Sequence, residues 1–253
     1  LLFPFAILFD LITSIRNSFF NTGIFKETTF YTPIVVVGNL SVGGTGKTPQ
    51  IEYLIRLLKD FYKVSVLSRG YKRKTKGFLL VNENHTANDV GDEPLQYFKK
   101  FTNISVAVDE NRVDGIHNLM DQKSPEVLLL DDAYQHRKVK GSFYILLTKY
   151  DDLFTEDFLL PTGNLRESRA GAKRANVIVV TKCPFDLKEV EKENIKRKLQ
   201  QYKKEVYFTT ISYADKISGS QQLSLDELKK FEVLLITGIA NPTPLLEFLT
   251  KKE

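Results

Sequence analysis

The sequence predicts an α/β fold in which a mostly parallel sheet is covered by helices on both faces. Two observations carry this. Short apolar, β-rich runs recur at Ile34–Val37, Val64–Leu67, Phe78–Val81, Ile104–Val108, Val127–Leu130, Phe143–Leu147, Val177–Val180, Val206–Thr209 and Val233–Ile236. Between several of them, apolar residues fall at helical spacing, as in Pro94–Phe101, Arg112–Met120 and Leu187–Tyr202. Continuous apolar strands alternating with helices give parallel pairing that is buried on both sides.

The first element is an N-terminal amphipathic helix. Leu1 to Phe9 is apolar except for Pro4, and Phe5, Leu8, Phe9, Ile12, Ile15 and Phe19 share one helical face. The stretch is shorter than the ~20 residues that span a bilayer. No small-residue cleavage site follows, so a signal peptide fits poorly. Periodicity admits two outcomes for this face: insertion into a membrane interface, or packing on the core.

The second element holds the most specific signal. The strand Ile34–Val37 runs into Gly38-Asn39-Leu40-Ser41-Val42-Gly43-Gly44-Thr45-Gly46-Lys47-Thr48, and Ile51, Leu54, Ile55 and Leu58 follow at helical spacing. This is a P-loop NTPase-type strand, loop and helix. Glycines let backbone N–H groups close on phosphate oxygens, Lys47 can reach the β- and γ-phosphates, and the Thr48 hydroxyl can ligate Mg²⁺. Ser41, Val42, Gly43, Gly44, Thr45, Gly46, Lys47 and Thr48 are therefore the expected nucleotide contacts. Ser41 replaces the usual leading glycine, and Val42 stands where partitioning ATPases carry a signature lysine. Pro49 is tolerable in a first helical turn.

Later elements supply candidates at strand ends. Val127–Leu130 ends in Asp131 and Asp132, and Asp131 would hold Mg²⁺ opposite Thr48 or simply cap the next segment. His136 and Arg137 follow near the same edge. In Gly91-Asp92-Glu93-Pro94, Asp92 could take a proton from an attacking hydroxyl; read alone, the segment is an ordinary helix start. Arg69-Gly70-Tyr71-Lys72-Arg73-Lys74 is a basic cluster that suits phosphorylated substrates, anionic lipid heads or plain solvent. With Tyr71 its one aromatic, it is no stacking platform, and no nucleic-acid partner is expected. Thr181-Lys182-Cys183-Pro184 stands at a strand end where GTPases carry Thr-Lys-x-Asp, with Pro184 in place of the guanine-reading aspartate.

The chain has 253 residues, a net charge of +5 and one cysteine, Cys183. An internal disulfide framework is excluded, and a reducing compartment is suited. The mild positive charge favours anionic partners without choosing among them. The expected organisation is an N-terminal helix (1–30), a P-loop core (31–182) and a smaller C-terminal lobe (183–253). Because residue 1 is leucine, and a strand and turn lie close to the last residue, both ends are expected to be cut.

Taken together, Gly38-Asn39 with Val42–Pro49, Ser68–Tyr71, Gly91–Pro94, Asp131–Arg137, Leu160–Glu167 and Gly238–Pro242 closely resemble the tetraacyldisaccharide 4′-kinase family of lipid A biosynthesis. The resemblance implies an ATP- and Mg²⁺-dependent kinase acting on the 4′-hydroxyl of a tetraacylated glucosamine disaccharide 1-phosphate. It also implies peripheral binding at the cytoplasmic face of the Gram-negative inner membrane, through an anionic lipid surface. Carried over by motif, Asp92 is the base, and Lys47, Asp132 and His136 are further catalytic positions. Thr48, Asp131 and Glu167 serve the metal; Arg69, Tyr71, Arg112, Arg166 and Asn241 face the substrate. Many members have histidine where this chain has Asn241, which could only orient Asp92 by hydrogen bonding. No obligate protein partner is inferred. The rival readings are a membrane-surface P-loop ATPase acting as a nucleotide switch, and a basic membrane-bound module with a decayed site.

Overall fold

The computed structural model describes residues 2–217, 219, 222–237 and 242–251, in two compact units, Leu1–Thr210 and Ile211–Glu253. The first unit contains α1 (Phe3–Asn21), β1 (Ile34–Asn39), α2 (Lys47–Leu58), β2 (Val64–Ser68), β3 (Leu79–Leu80), α3 (Ala87–Val90), α4 (Asp92–Lys100), β4 (Ser105–Val108), α5 (Arg112–Lys123), β5 (Val127–Asp131), β6 (Phe143–Lys149), β7 (Val177–Cys183), α6 (Glu189–Leu199) and β8 (Glu205–Thr210). Its sheet has eight strands in the order β3-β4-β2-β5-β1-β6-β7-β8, all pairs parallel except β3 with β4. The expected parallel α/β architecture is the observed one.

Side-chain alternation assigns the two faces. Val37 and Leu129 point into a core with Ile51, Ile55, Tyr97 and Val106. Their neighbours Val36, Leu128 and Leu130 point into another with Ile116 and Leu119. A third core joins Leu40, Leu146, Ile178 and Val180 to Ile195 and Leu199 of α6. β1 lies between β5 and β6, so the loop after it opens at the centre of the sheet's carboxyl edge, where α/β folds bind ligands.

The expected boundary after Lys182 falls inside β7. The sheet continues through β8 because β7 and β8 pair in parallel from Val177 with Glu205 to Cys183 with Thr210. The unit boundary follows Thr210 instead.

The second unit contains the antiparallel pair β9 (Lys216–Ile217) and β10 (Leu223–Ser224), α7 (Leu225–Leu228) and α8 (Thr243–Thr250). Ser224 caps α7, and Tyr213 packs on Phe248 with ring centroids 4.7 Å apart. The strand expected at Val233–Ile236 does not form; among the described residues nothing pairs with it, and Leu234 and Ile236 are exposed. An apolar run satisfies the strand pattern, but a strand needs a hydrogen-bonding neighbour.

In the first unit, α1 is held at its carboxyl half. Arg137 donates to Asn17 O and to Asn21 Oδ1 at 2.9 Å each and pairs with Glu27, Arg16 donates to Gln135 O, and Asn17 donates to Glu167. Of the expected apolar face, Phe5, Leu8, Ile12, Ile15 and Phe19 are exposed and Phe9 is half-buried. That face is not packed on the core. No helix among the described residues is long and apolar enough to cross a membrane.

Candidate active site

The glycine loop is clamped from both sides. Gly46, at φ 83°, caps α2 in a left-handed conformation that glycine adopts at no steric cost. On one side, Val42 N donates to Asn164 O at 2.7 Å and Arg166 N donates to Leu40 O at 2.7 Å. On the other, Thr181 Oγ1 donates to Thr45 O at 2.8 Å. The loop is therefore set by its neighbours before any phosphate arrives.

Beneath it lies a polar cluster organised by Asn39, which is fully buried. Asn39 Nδ2 donates to Ser41 O at 2.7 Å, while its Oδ1 accepts from Lys47 Nζ at 3.3 Å and Arg166 Nη2 at 2.8 Å. Lys47 and Arg166 also pair with Asp132, at 3.7 and 3.3 Å. Asp132 has φ 47°, a left-handed turn that aims its carboxylate back toward the loop cations.

Asp131, at the end of β5, is buried, and its Oδ1 has no hydrogen-bond partner. Its Oδ2 accepts from the Tyr97 hydroxyl at 3.2 Å, and the Thr48 side chain lies next to the same hydroxyl. Thr48 and Asp131 thus meet around one phenol. Burial first, then the Asp132 charge, pushes the Asp131 carboxyl up to about 6. An orphaned buried carboxylate oxygen beside a threonine hydroxyl is a hard-oxygen donor set, and it fits Mg²⁺.

The second half of the site lies beyond β5. Gly70 and Gly91 let two backbones touch: a Cβ on Gly91 would stand 3.1 Å from Gly70 Cα and 3.2 Å from Tyr71 O. This seats the Arg69–Tyr71 loop against the start of α4. Asp92 is the first residue of that helix, exposed, with no hydrogen bond or ion pair among the described residues. α4 is fixed to the loop helix by buried Glu52 of α2, which accepts from Gln96 at 2.8 Å and pairs with Lys100.

Arg112 is buried, donates to Asp109 O, and is pushed down to about 10 by desolvation, opposed mainly by the Asp131 charge. Its electrostatic neighbours include Arg69, Asp131 and Asp132. His136 is pushed down to about 4, first by burial and then by Arg112, Lys138, Arg16 and Arg69. The imidazole is thus neutral at physiological pH, and its Nε2 is buried without a partner.

The structure therefore gathers Lys47, Thr48, Asp131, Asp132 and Arg166 around the loop, with Arg69, Arg112 and His136 within electrostatic range. Tyr71 is 68% exposed beneath the Lys72 ammonium. Glu167 is engaged elsewhere: its carboxylate pairs with Arg174 at 2.7 Å and accepts from Asn17 at 2.9 Å and Gln135 at 3.1 Å. With both oxygens so occupied, its expected metal role has no support in the contacts. Asn241 lies outside the described residues. Tyr97, Glu52 and Asn39 were not among the expected site residues, because a buried helix tyrosine or glutamate and a strand-end asparagine have no local signature.

The sequence model of the tetraacyldisaccharide-1-P 4′-kinase family (LpxK) matches residues 1–253. A tetraacyldisaccharide 4′-kinase of Flavobacterium johnsoniae is 58% identical over 256 residues, covering 100% of this chain and 75% of that protein. One from Bacteroides thetaiotaomicron is 45% identical over 262 residues, covering 98% of this chain and 69% of its own length. Among solved structures, LpxK from Aquifex aeolicus in complex with ATP is similar with a TM-score of 0.67 at 34% identity, over 85% of this chain and 81% of that one.

Proposed function

This chain belongs to the tetraacyldisaccharide-1-P 4′-kinase family, and we propose that it transfers the γ-phosphate of ATP to the 4′-hydroxyl of a tetraacylated disaccharide 1-phosphate in lipid A biosynthesis. The observation that carries this reading is the placement of Asp92. An unpaired carboxylate opens α4, and the same helix is bonded through Tyr97 to Asp131, at the end of β5.

In the proposed reaction Asp92 accepts the 4′-hydroxyl proton as that oxygen bonds to the γ-phosphorus. The bond from the γ-phosphorus to the β,γ-bridging oxygen breaks, and ADP leaves with that electron pair. Lys47 stabilises charge on the transferring group while Asp132 and Asn39 hold its ammonium in place. Thr48 and Asp131 would hold Mg²⁺, which neutralises phosphate charge. Arg69, Arg112, Arg166 and the neutral His136 line the acceptor side.

The acceptor's acyl chains keep it in a bilayer, so the enzyme must work at the surface. The exposed apolar side chains of α1 suit an interfacial anchor, and the positive net charge suits an anionic cytoplasmic leaflet. The place of action in this reading is the cytoplasmic face of the inner membrane.

The deciding assay follows label from [γ-³²P]ATP into the tetraacyl disaccharide 1-phosphate with Mg²⁺. Asp92→Asn is expected to lower kcat by roughly 10²- to 10⁴-fold while ATP affinity is retained. Hydrolysis of ATP without labelled lipid would instead support a nucleotide switch.

A further inference from the structure

We propose that Lys182 holds the nucleoside half of ATP. This rests on the nucleotide reading of the glycine loop but not on the identity of the acceptor.

The groups that treat the transferring phosphate lie on one flank of the loop. Asp131 and Asp132 end β5, and α4 carries Asp92 and Tyr97 against β2 and β4. β1 separates this flank from β6 and β7. A nucleotide with its γ-phosphate turned toward β5 must extend its nucleoside the other way, over the ends of β6 and β7.

Lys182 stands at the end of β7, and its conformation is unusual. It has φ 57°, a left-handed backbone uncommon for lysine, where the register between β7 and β8 shifts between Val180 and Cys183. Neighbouring Thr181 fixes this turn, donating to Thr45 O at 2.8 Å and to Thr148 O at 3.2 Å. The result is a lysine aimed over the loop: its Nζ lies 3.9 Å from the position a Cβ on Gly44 would occupy. Gly44 has no side chain to fill the space between them. Lys182 is exposed and makes no hydrogen bond or ion pair among the described residues, unlike Lys47, which Asn39 and Asp132 both engage.

A free ammonium on a four-carbon stem, beside the loop and away from the γ-phosphate flank, can bond ribose oxygens while its stem lies against the base. Pro184 leaves the same turn without the carboxylate that would read guanine.

The test measures binding of ADP and of inorganic tripolyphosphate by calorimetry to the wild-type chain, Lys182→Asn and Lys182→Arg. Asparagine tolerates the left-handed backbone, so folding is retained. Lys182→Asn is expected to weaken ADP about tenfold and leave tripolyphosphate unchanged. KM for ATP should rise by a similar factor at constant kcat, and Lys182→Arg should keep most of the affinity. Unchanged ADP affinity, or equal losses for ADP and tripolyphosphate, would overturn the assignment. If the wild-type chain binds ADP but phosphorylates no lipid, the acceptor reading fails and Lys182 is still decided.

Discussion

The Tyr97 hydroxyl donates to Asp131 Oδ2 over 3.2 Å, so a side chain of α4 is bonded to the carboxylate that ends β5. The Thr48 side chain, at the start of the loop helix, lies next to the same hydroxyl. One phenol therefore ties α4, which carries Asp92, to the carboxylate at the end of β5.

Removing that hydroxyl should be costly without changing shape. Tyr97→Phe leaves the buried Asp131 carboxylate without its donor, a loss of about 1–3 kcal/mol. Urea unfolding should show this in the absence of nucleotide, with a smaller deficit when Mg²⁺ and ADP are present. An equal deficit in both conditions would mean that Asp131 takes no part in the metal site.

Glu167 separates structure from metal chemistry. It is buried and faces Arg174, whose side chain is 18% exposed. Glu167→Ala leaves that guanidinium uncompensated, and stability is expected to fall by about 3–5 kcal/mol. The Mg²⁺ concentration giving half-maximal phosphate transfer should not move at a temperature where the variant is folded. A large rise in that concentration would restore Glu167 to the metal site.

His136 should make stability depend on pH with a definite sign. An unfolded histidine titrates near ~6.5, whereas the folded one is pushed down to about 4. Between these values the unfolded chain binds more protons, so the His136 contribution is present above the unfolded value and is lost as pH falls toward the folded one. Asp131, pushed up to about 6, acts in the opposite sense, so the comparison must be between variants. The urea midpoint of His136→Gln should fall less than wild type between pH 7 and 5. Identical falls would contradict the depressed value.

The exposed face of α1 predicts vesicle binding. Phe5→Ser, Leu8→Ser and Ile12→Ser together remove three exposed apolar side chains. Each is worth about 1.5–3 kcal/mol when buried, so sedimentation with anionic phospholipid vesicles should fall more than tenfold. Unfolding midpoints should barely change, because surface substitutions usually act within about 0.5 kcal/mol. Undiminished sedimentation would count against an α1 anchor.

What could be read from residues alone follows the range of the interactions involved. The loop at Ser41–Thr48 is legible because its chemistry is local: glycines, a lysine and a threonine on adjacent positions. The acids at Asp131 and Asp132 are legible because a buried strand ends on them. Periodicity could not decide whether the apolar face of α1 packs or stays exposed; that depends on Arg137, Asn17 and Glu167, far apart in the chain. The partners of Glu167 are equally out of reach of a local reading, since Arg174 and Asn17 meet it only in the folded chain. Val233–Ile236 satisfies the local pattern of a strand, but pairing is a property of a neighbour. The boundary expected after Lys182 fails because the strand ladder from β7 to β8 is not encoded at the turn between them.

The place of β1 between β5 and β6 has a consequence for how such an enzyme can change. In the proposed reading, one strand divides Lys182, on the nucleoside side, from Asp92, Arg69 and Arg112, on the acceptor side. On that reading, substitutions around Arg69, Arg112 and the start of α4 would act on the acceptor while the nucleoside side is untouched. Changes near Thr181 and Lys182 would act on the nucleoside in the same independent way. The scaffold is modular across a single strand, so a lineage or a designer can vary one partner while the other is held fixed.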